Sequence, residues 1–245
     1  MQAADPVLGS SRSARYHEKH SHIRGRGLIS SMALGLSDGL VTNLSFLTGF
    51  GVAIAASISL IQFAGVASMF AGATSMFFGG VLSARSESDL YEADLRREAY
   101  EIENEPEEEK AEMFDIYRQK GLTQEEADMV VSRVSSNKAR FLEDMLLNEL
   151  HISKSALQNP IRIGAAIGLS FMLGAFVPLA PYLFASKTTA VPVSVILSSI
   201  FLFVAGAWKG RIAKKSVWKK GLETLAVGAV ATALLFLIGK LIAFV

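Results

Sequence analysis

Between Asp38 and Arg85 the chain carries no charged residue for 46 positions, from Gly39 to Ala84. Three shorter uncharged stretches follow: 24 residues from Ile163 to Ser186, 21 from Thr188 to Trp208 and 16 from Thr224 to Gly239. A helix needs about 20 predominantly apolar residues to cross the hydrocarbon core of a bilayer. The first stretch holds two such helices only if the first begins upstream, near Leu28, and accepts Asp38 inside it. The runs predict five spans at 28–50, 53–84, 163–184, 190–208 and 223–244. Buried helices of a soluble protein are the competing reading, and runs with almost no polar face speak against it.

The remaining charge is therefore segregated: 19% of the 245 residues are charged although 51% are hydrophobic. Orientation follows from Lys and Arg counted loop by loop. The N-terminal segment has five, residues 85–162 have eleven and residues 209–220 have six, whereas only Lys187 and Lys240 fall on the opposite side. This bias predicts that the N-terminus and the large insertion are cytosolic. Residues 1–27 are polar and basic, without the apolar core of a signal peptide. The net charge of +1 gives no hint of a nucleic-acid partner, and the absence of cysteine excludes disulfides, thiolate metal sites and a Cys nucleophile. The expected organisation is a basic cytosolic segment at 1–27, spans 1 and 2 at 28–84, a cytosolic acidic module at 85–160 and spans 3 to 5 at 161–245. The fold class is all-α, with a three-helix module between spans 2 and 3.

From Glu87 to Glu149 there are 19 acids and 8 bases, a net charge of −11. Leu90, Asp94, Arg97 and Glu101 continue the second span into water, and Pro106 marks the start of another helix. Met113, Ile116 and Tyr117 recur at helical spacing, after which Gly121 closes that helix and Thr123 caps the next. Met129, Val130, Val134, Phe141, Met145 and Leu146 supply a small apolar face.

Asp38 is the only acid well inside a predicted span. A carboxylate at that depth costs about 2.5–3.5 kcal/mol, which makes it a functional-site candidate by default; a protonated or helix-paired structural Asp is the bland alternative. Gly35 and Gly39 beside it either let helices approach or free carbonyls to help hold a cation. Met76 offers a thioether, which suits softer divalent ions, although a Met in an apolar helix is more often packing. In the acidic module, Glu98 and Glu101 lie at i, i+3, as do Glu109 and Glu112, while Met145 and Glu149 lie at i, i+4. Facing one another, these pairs would form an oxygen-rich pocket tipped by a thioether, its repulsion relieved by a cation; a solvated acidic surface is the alternative. The four histidines, His17, His20, His22 and His151, lie outside the helical module, which disfavours a di-iron oxidase. No phosphate loop is present to suggest an ATP-driven pump. The basic run Lys214, Lys215, Lys219 and Lys220 reads as a topology signal with potential for anionic-lipid contact.

Together these residues resemble the vacuolar iron transporter family, whose members exchange Fe(II) and related divalent ions for protons. The resemblance covers the chain from about Arg24 and rests on Ser37-Asp38-Gly39-Leu40, Ser75-Met76 through Gly79-Gly80 to Ser86-Glu87-Ser88-Asp89, Leu95-Arg96-Arg97-Glu98, Asn148-Glu149-Leu150 and Val177-Pro178-Leu179-Ala180-Pro181-Tyr182. It implies a homodimer of five-span protomers with the ion path at the subunit interface. Asp38 and Met76 then match pore residues, and Glu98, Glu101, Glu109, Glu112, Met145 and Glu149 match cytosolic metal ligands. Two positions depart from the pattern: Ser68 stands on the path where a second embedded Glu is expected, and Leu146 replaces the second Met of a pair.

The expected function is export of Fe(II) from the cytosol by proton antiport for iron detoxification or storage. Mn(II), Co(II) and Zn(II) are further candidate ions, no cofactor is tightly bound, and the chain is not an enzyme. The membrane is a prokaryotic plasma membrane or a vacuolar one. The alternative is a membrane-anchored cytosolic metal buffer or sensor that moves no ions.

Overall fold

The computed structural model describes residues 7–53, 57–151 and 159–243. The parts of the expected segments at residues 1–6, 54–56, 152–158 and 244–245 lie outside the described residues. Among those described, the fold is all-helical, with eight helices and no strand: α1 (Val7–Ala53), α2 (Ile58–Asn104), α3 (Pro106–Gln119), α4 (Gln124–Ser135), α5 (Lys138–Asn148), α6 (Pro160–Phe184), α7 (Lys187–Ile212) and α8 (Val217–Ala243). The chain divides into two compact units, one formed by residues 1–82 with 159–245 and the other by residues 83–158.

In the first unit, four helices are long and apolar enough to cross a membrane: α2, α6, α7 and α8. Helix α1 has the length but not the apolarity, because Ser37, Asp38, Thr42, Asn43, Ser45 and Thr48 interrupt its hydrophobic run. What it has instead is small residues that let it approach a neighbour. A Cβ at Gly35 would collide with the carbonyl oxygen of Ile167, one at Gly39 with that of Phe171, and one at Gly174 with that of Leu36. Helices α1 and α6 thus meet backbone to backbone, the packing that small residues permit where lipid offers no hydrophobic drive. Of the two expected roles of Gly35 and Gly39, the close approach of helices is the one observed.

Pro178 and Pro181 leave α6 without two backbone donors. Polar side chains from neighbouring helices bond its carbonyls nearby: Asn43 Nδ2 donates to Ala175 O at 2.7 Å, Ser194 Oγ to Pro178 O at 2.7 Å and Gln62 Nε2 to Tyr182 O at 2.6 Å. Around them Leu47, Ile61, Met69, Phe171, Leu179 and Tyr182 form a core. The outer faces stay apolar and open: Phe63 is 73% exposed and Leu241 68%. Such surfaces suit lipid contact or a partner rather than water.

The second unit is built from the C-terminal turns of α2 with α3, α4 and α5. Pro106 occupies the first turn of α3, where its missing N–H costs nothing. Gly121 turns the chain at φ 93°, a left-handed conformation that glycine adopts without steric penalty. Thr123 then caps α4 with Glu126 in a reciprocal capping box, and Asn137 caps α5 through Ala139 N and Arg140 N. Ile102, Met113, Val131, Phe141 and Met145 make the core. The inward face of α4 differs from the expected one: Ala127 and Val131 are buried, whereas Met129 is 72% exposed. Residues 127, 131 and 134 follow the helical i, i+4, i+7 stripe, and 129 falls on the far side of it.

Candidate metal centre

Three of the predicted acids converge. Glu98 from α2, Glu109 from α3 and Glu149, which caps the end of α5, each place a carboxylate oxygen within 4.8 Å of the others. Their position follows from the core beneath them. Glu98 precedes buried Ile102 by four residues, Glu109 precedes buried Met113 by four and Glu149 follows buried Met145 by four. One helical turn separates each acid from an apolar anchor, so packing the anchors brings the acids together. Tyr117 Oη adds a hydrogen bond to Asp144 Oδ2 at 2.8 Å, tying α3 to α5.

Glu98 is completely buried and Glu109 is 5% exposed. With all three acids ionised, both oxygens of Glu98 and one each of Glu109 and Glu149 are buried without a hydrogen-bond donor. Such an arrangement is costly for bare carboxylates, which respond by holding protons or by binding a cation. Burial, followed by the charges of Glu149, Glu109 and Glu101, pushes Glu98 up to about 8. Glu109 is also raised, by burial first; a proton shared from Glu98 offsets part of the rise, while the charges of Glu112, Glu149 and Glu101 add to it. Glu149 is raised by burial and then by the charge of Glu112, with Arg97 acting in the opposite sense. Burial and mutual repulsion thus act in the same direction on all three carboxyls, whose oxygens lie close enough together to hold a metal ion.

The other predicted ligands hold different places. Glu101 is half-buried and lies 3.7 Å from Arg97 Nε, and Glu112 is exposed but near enough for its charge to reach Glu109 and Glu149. Met145 is fully buried in the core of the unit, alongside Leu146. Met113, expected only as part of a helical repeat, brings a second buried thioether to that core. Its signal was the four-residue step from Glu109.

In the other unit, Asp38 is half-buried on α1 and accepts a hydrogen bond from Thr42 Oγ1 at 3.4 Å. Among the described residues no cationic side chain pairs with it. Met76, half-buried on α2, packs against the core around Phe171 and Leu179, and Ser68 lies half-buried two turns earlier on the same helix. Hydrogen bonding among the described residues connects Asp38 to neither.

The sequence pattern of the VIT family matches residues 29–240. The chain is 33% identical to Vacuolar iron transporter 1 of Arabidopsis thaliana, over 92% of this chain and 90% of that protein. It is 35% identical to Vacuolar iron transporter 2 of Oryza sativa subsp. japonica, over 89% of each. With the Vacuolar iron transporter of Plasmodium falciparum it shares 29% identity, over 96% of this chain and 91% of that one.

Proposed function

Because this chain belongs to the VIT family, a family of membrane transporters and not of enzymes, we propose that it exports Fe(II) from the cytosol across its membrane in exchange for protons. It is an integral membrane protein, consistent with its four long apolar helices. In this reading α1 is the fifth span, residues 85–160 lie in the cytosol, and two protomers enclose the ion path. The membrane is vacuolar, as the relatives' names suggest, or a prokaryotic plasma membrane.

The observation that carries the proposal is the meeting of Glu98, Glu109 and Glu149 with four buried oxygens lacking donors. Oxygen donors suit Fe(II) and Mn(II); Co(II) and Zn(II) are further candidate cargo. The net charge of −11 over residues 87–149 raises the local concentration of cations before any ion enters the site. Glu101, Glu112 and Met145 complete the proposed ligand set. Asp38 is then the exchange group on the path, binding metal when ionised and releasing it when protonated, with Met76 as its soft partner. Ser68 leaves the path one carboxylate poorer than the family pattern.

Purified protein in vesicles loaded with a metal-sensitive dye tests this reading. An imposed pH gradient should drive Fe(II) flux across the sealed membrane. The three acids all belong to the unit of residues 83–158, which also accommodates a second reading, an anchored metal buffer. Metal binding without flux would establish the buffer and remove the transporter.

A further inference from the structure

A groove of about 710 Å³ opens between α1 and the end of α7, within the unit of residues 1–82 and 159–245. Its lining is divided by chemistry. Ile29, Leu34 and Ile212 give it an apolar wall, while Ser30, Lys209 and Lys214 give it a polar rim. Such a volume lies within the range of about 300–1,000 Å³ typical of ligand clefts. Neither lysine has an acidic partner among the described residues, whereas nearby Lys220 is engaged by Glu223 at 2.5 Å.

Lys214 is held in an unusual way. Helix α7 ends with Lys214 N donating to Arg211 O at 3.2 Å and Lys215 N to Gly210 O at 2.8 Å. This paired closure places the first of the two donor residues in the left-handed region, a position glycine normally fills. Lys214 sits there at φ 53°. A lysine that accepts this backbone penalty, on the rim of a groove whose other lysine is also unpaired, points to a role for its charge. The depth is also informative. The uncharged run of α7 ends at Trp208, immediately before Lys209, and Trp218 stands in the first turn of α8 with 72% exposure. Tryptophans at the end of an apolar run mark the headgroup level of a bilayer.

We propose that this groove binds one anionic phospholipid from the leaflet that meets the α7–α8 connection. The phosphate is held by Lys209 and Lys214 with Ser30 donating, and the acyl chains lie along Ile29, Leu34 and Ile212. Charge complementarity selects this occupant: two unpaired cations favour a monoanionic phosphate, and the apolar wall favours one that carries hydrocarbon.

The test uses the full chain in detergent, titrated with phosphatidylglycerol or phosphatidylcholine and read by native mass spectrometry. Wild type should retain one phosphatidylglycerol per protomer in preference to phosphatidylcholine. The pair Lys209→Gln and Lys214→Gln should weaken that binding by about tenfold or more, and Lys209→Arg with Lys214→Arg should restore it. Should the charge-free pair fail to fold, Leu34→Trp fills the groove without touching charge and should lower lipid retention on its own. Lys214→Gly, which suits the left-handed position, should fold at least as well as wild type yet lose lipid. Equal retention of the two lipids, or wild-type retention by Lys214→Gly and Leu34→Trp, overturns the proposal. Displacement of the lipid by inorganic phosphate would make this a phosphate site instead. A groove covered by a second copy would show no bound lipid and a shifted monomer–dimer ratio in the glutamine pair.

Discussion

Glu98 on α2 and Glu149 at the end of α5 place carboxylate oxygens within 4.8 Å of one another, and the charge of Glu149 is the largest influence on Glu98 after burial itself. Two acids so placed cannot both ionise cheaply without a cation between them. The module is therefore expected to respond to pH and to metal in opposite senses.

The pH dependence has a definite sign. Glu98 is raised from the ordinary glutamate value of 4.5 to about 8, so its proton is bound more tightly in the folded state than in the unfolded one. Its stabilising contribution is full below pH 4.5 and is lost as pH rises through about 8. Thermal melts of the metal-free protein should thus show falling stability across this window. Glu98→Gln should flatten the dependence and raise the melting temperature at pH 8 relative to wild type. An unchanged pH profile in the variant would remove Glu98 as its source.

Metal affinity should run the other way. Protons and Mn(II) compete for the same oxygens, so titration calorimetry should give tighter binding at pH 8 than at pH 6. Glu98→Gln and Glu149→Gln should each weaken binding by at least about tenfold. Glu112→Gln should weaken it less, because that ligand is exposed and lies outside the trio whose oxygens come within 4.8 Å of one another. Equal losses at all three positions would contradict the geometry.

Asp38→Asn should separate capture from transport. The substitution removes the Asp38 carboxylate from α1 while leaving the acids of residues 83–158 unaltered. Proton-driven Fe(II) flux should fall to the level of empty vesicles, with Mn(II) affinity in solution unchanged. Wild-type flux in this variant would exclude Asp38 as the exchange group.

Gly39→Ala should be costly for a methyl group. The added Cβ would collide with the Phe171 carbonyl oxygen and sit 2.9 Å from Ala175 N, both backbone atoms that have no rotamer to change. A loss of about 1–3 kcal/mol is expected, in line with overpacking elsewhere. Gly79→Ala meets nothing within 4 Å and serves as the neutral control. Detergent melting curves of the two variants check this directly.

Much of the helical punctuation was readable from single residues. Pro106, Gly121 and Thr123 each act through their own backbone or side-chain chemistry, so each marks its boundary without help from the rest of the fold. The spacing marks six acidic and thioether positions as candidates, but not the difference between Glu98 and Glu101 or between Glu109 and Glu112. Residues three apart share a broad helix face, so spacing alone leaves open which of them turns inward. The tertiary core decides it, and the decisive clue is the apolar residue four positions away, Ile102 or Met113. Met129 failed for the complementary reason: it is hydrophobic, but the stripe set by Ala127 and Val131 leaves it outside. For α1, hydropathy understates its place in the fold, because its fit to α6 is made by glycines, which score little as apolar residues and matter for the volume they leave empty.

The glycine contacts between α1 and α6 also bear on how the membrane unit can move. Helices that touch through interleaved side chains can slide by changing rotamers one at a time. Where Gly35, Gly39 and Gly174 press backbone against carbonyl oxygen, there is no such series of small steps, and displacement requires the two helices to separate first. A rearrangement that keeps these contacts therefore carries α1 and α6 together, as a single lever, with the sliding surfaces lying elsewhere.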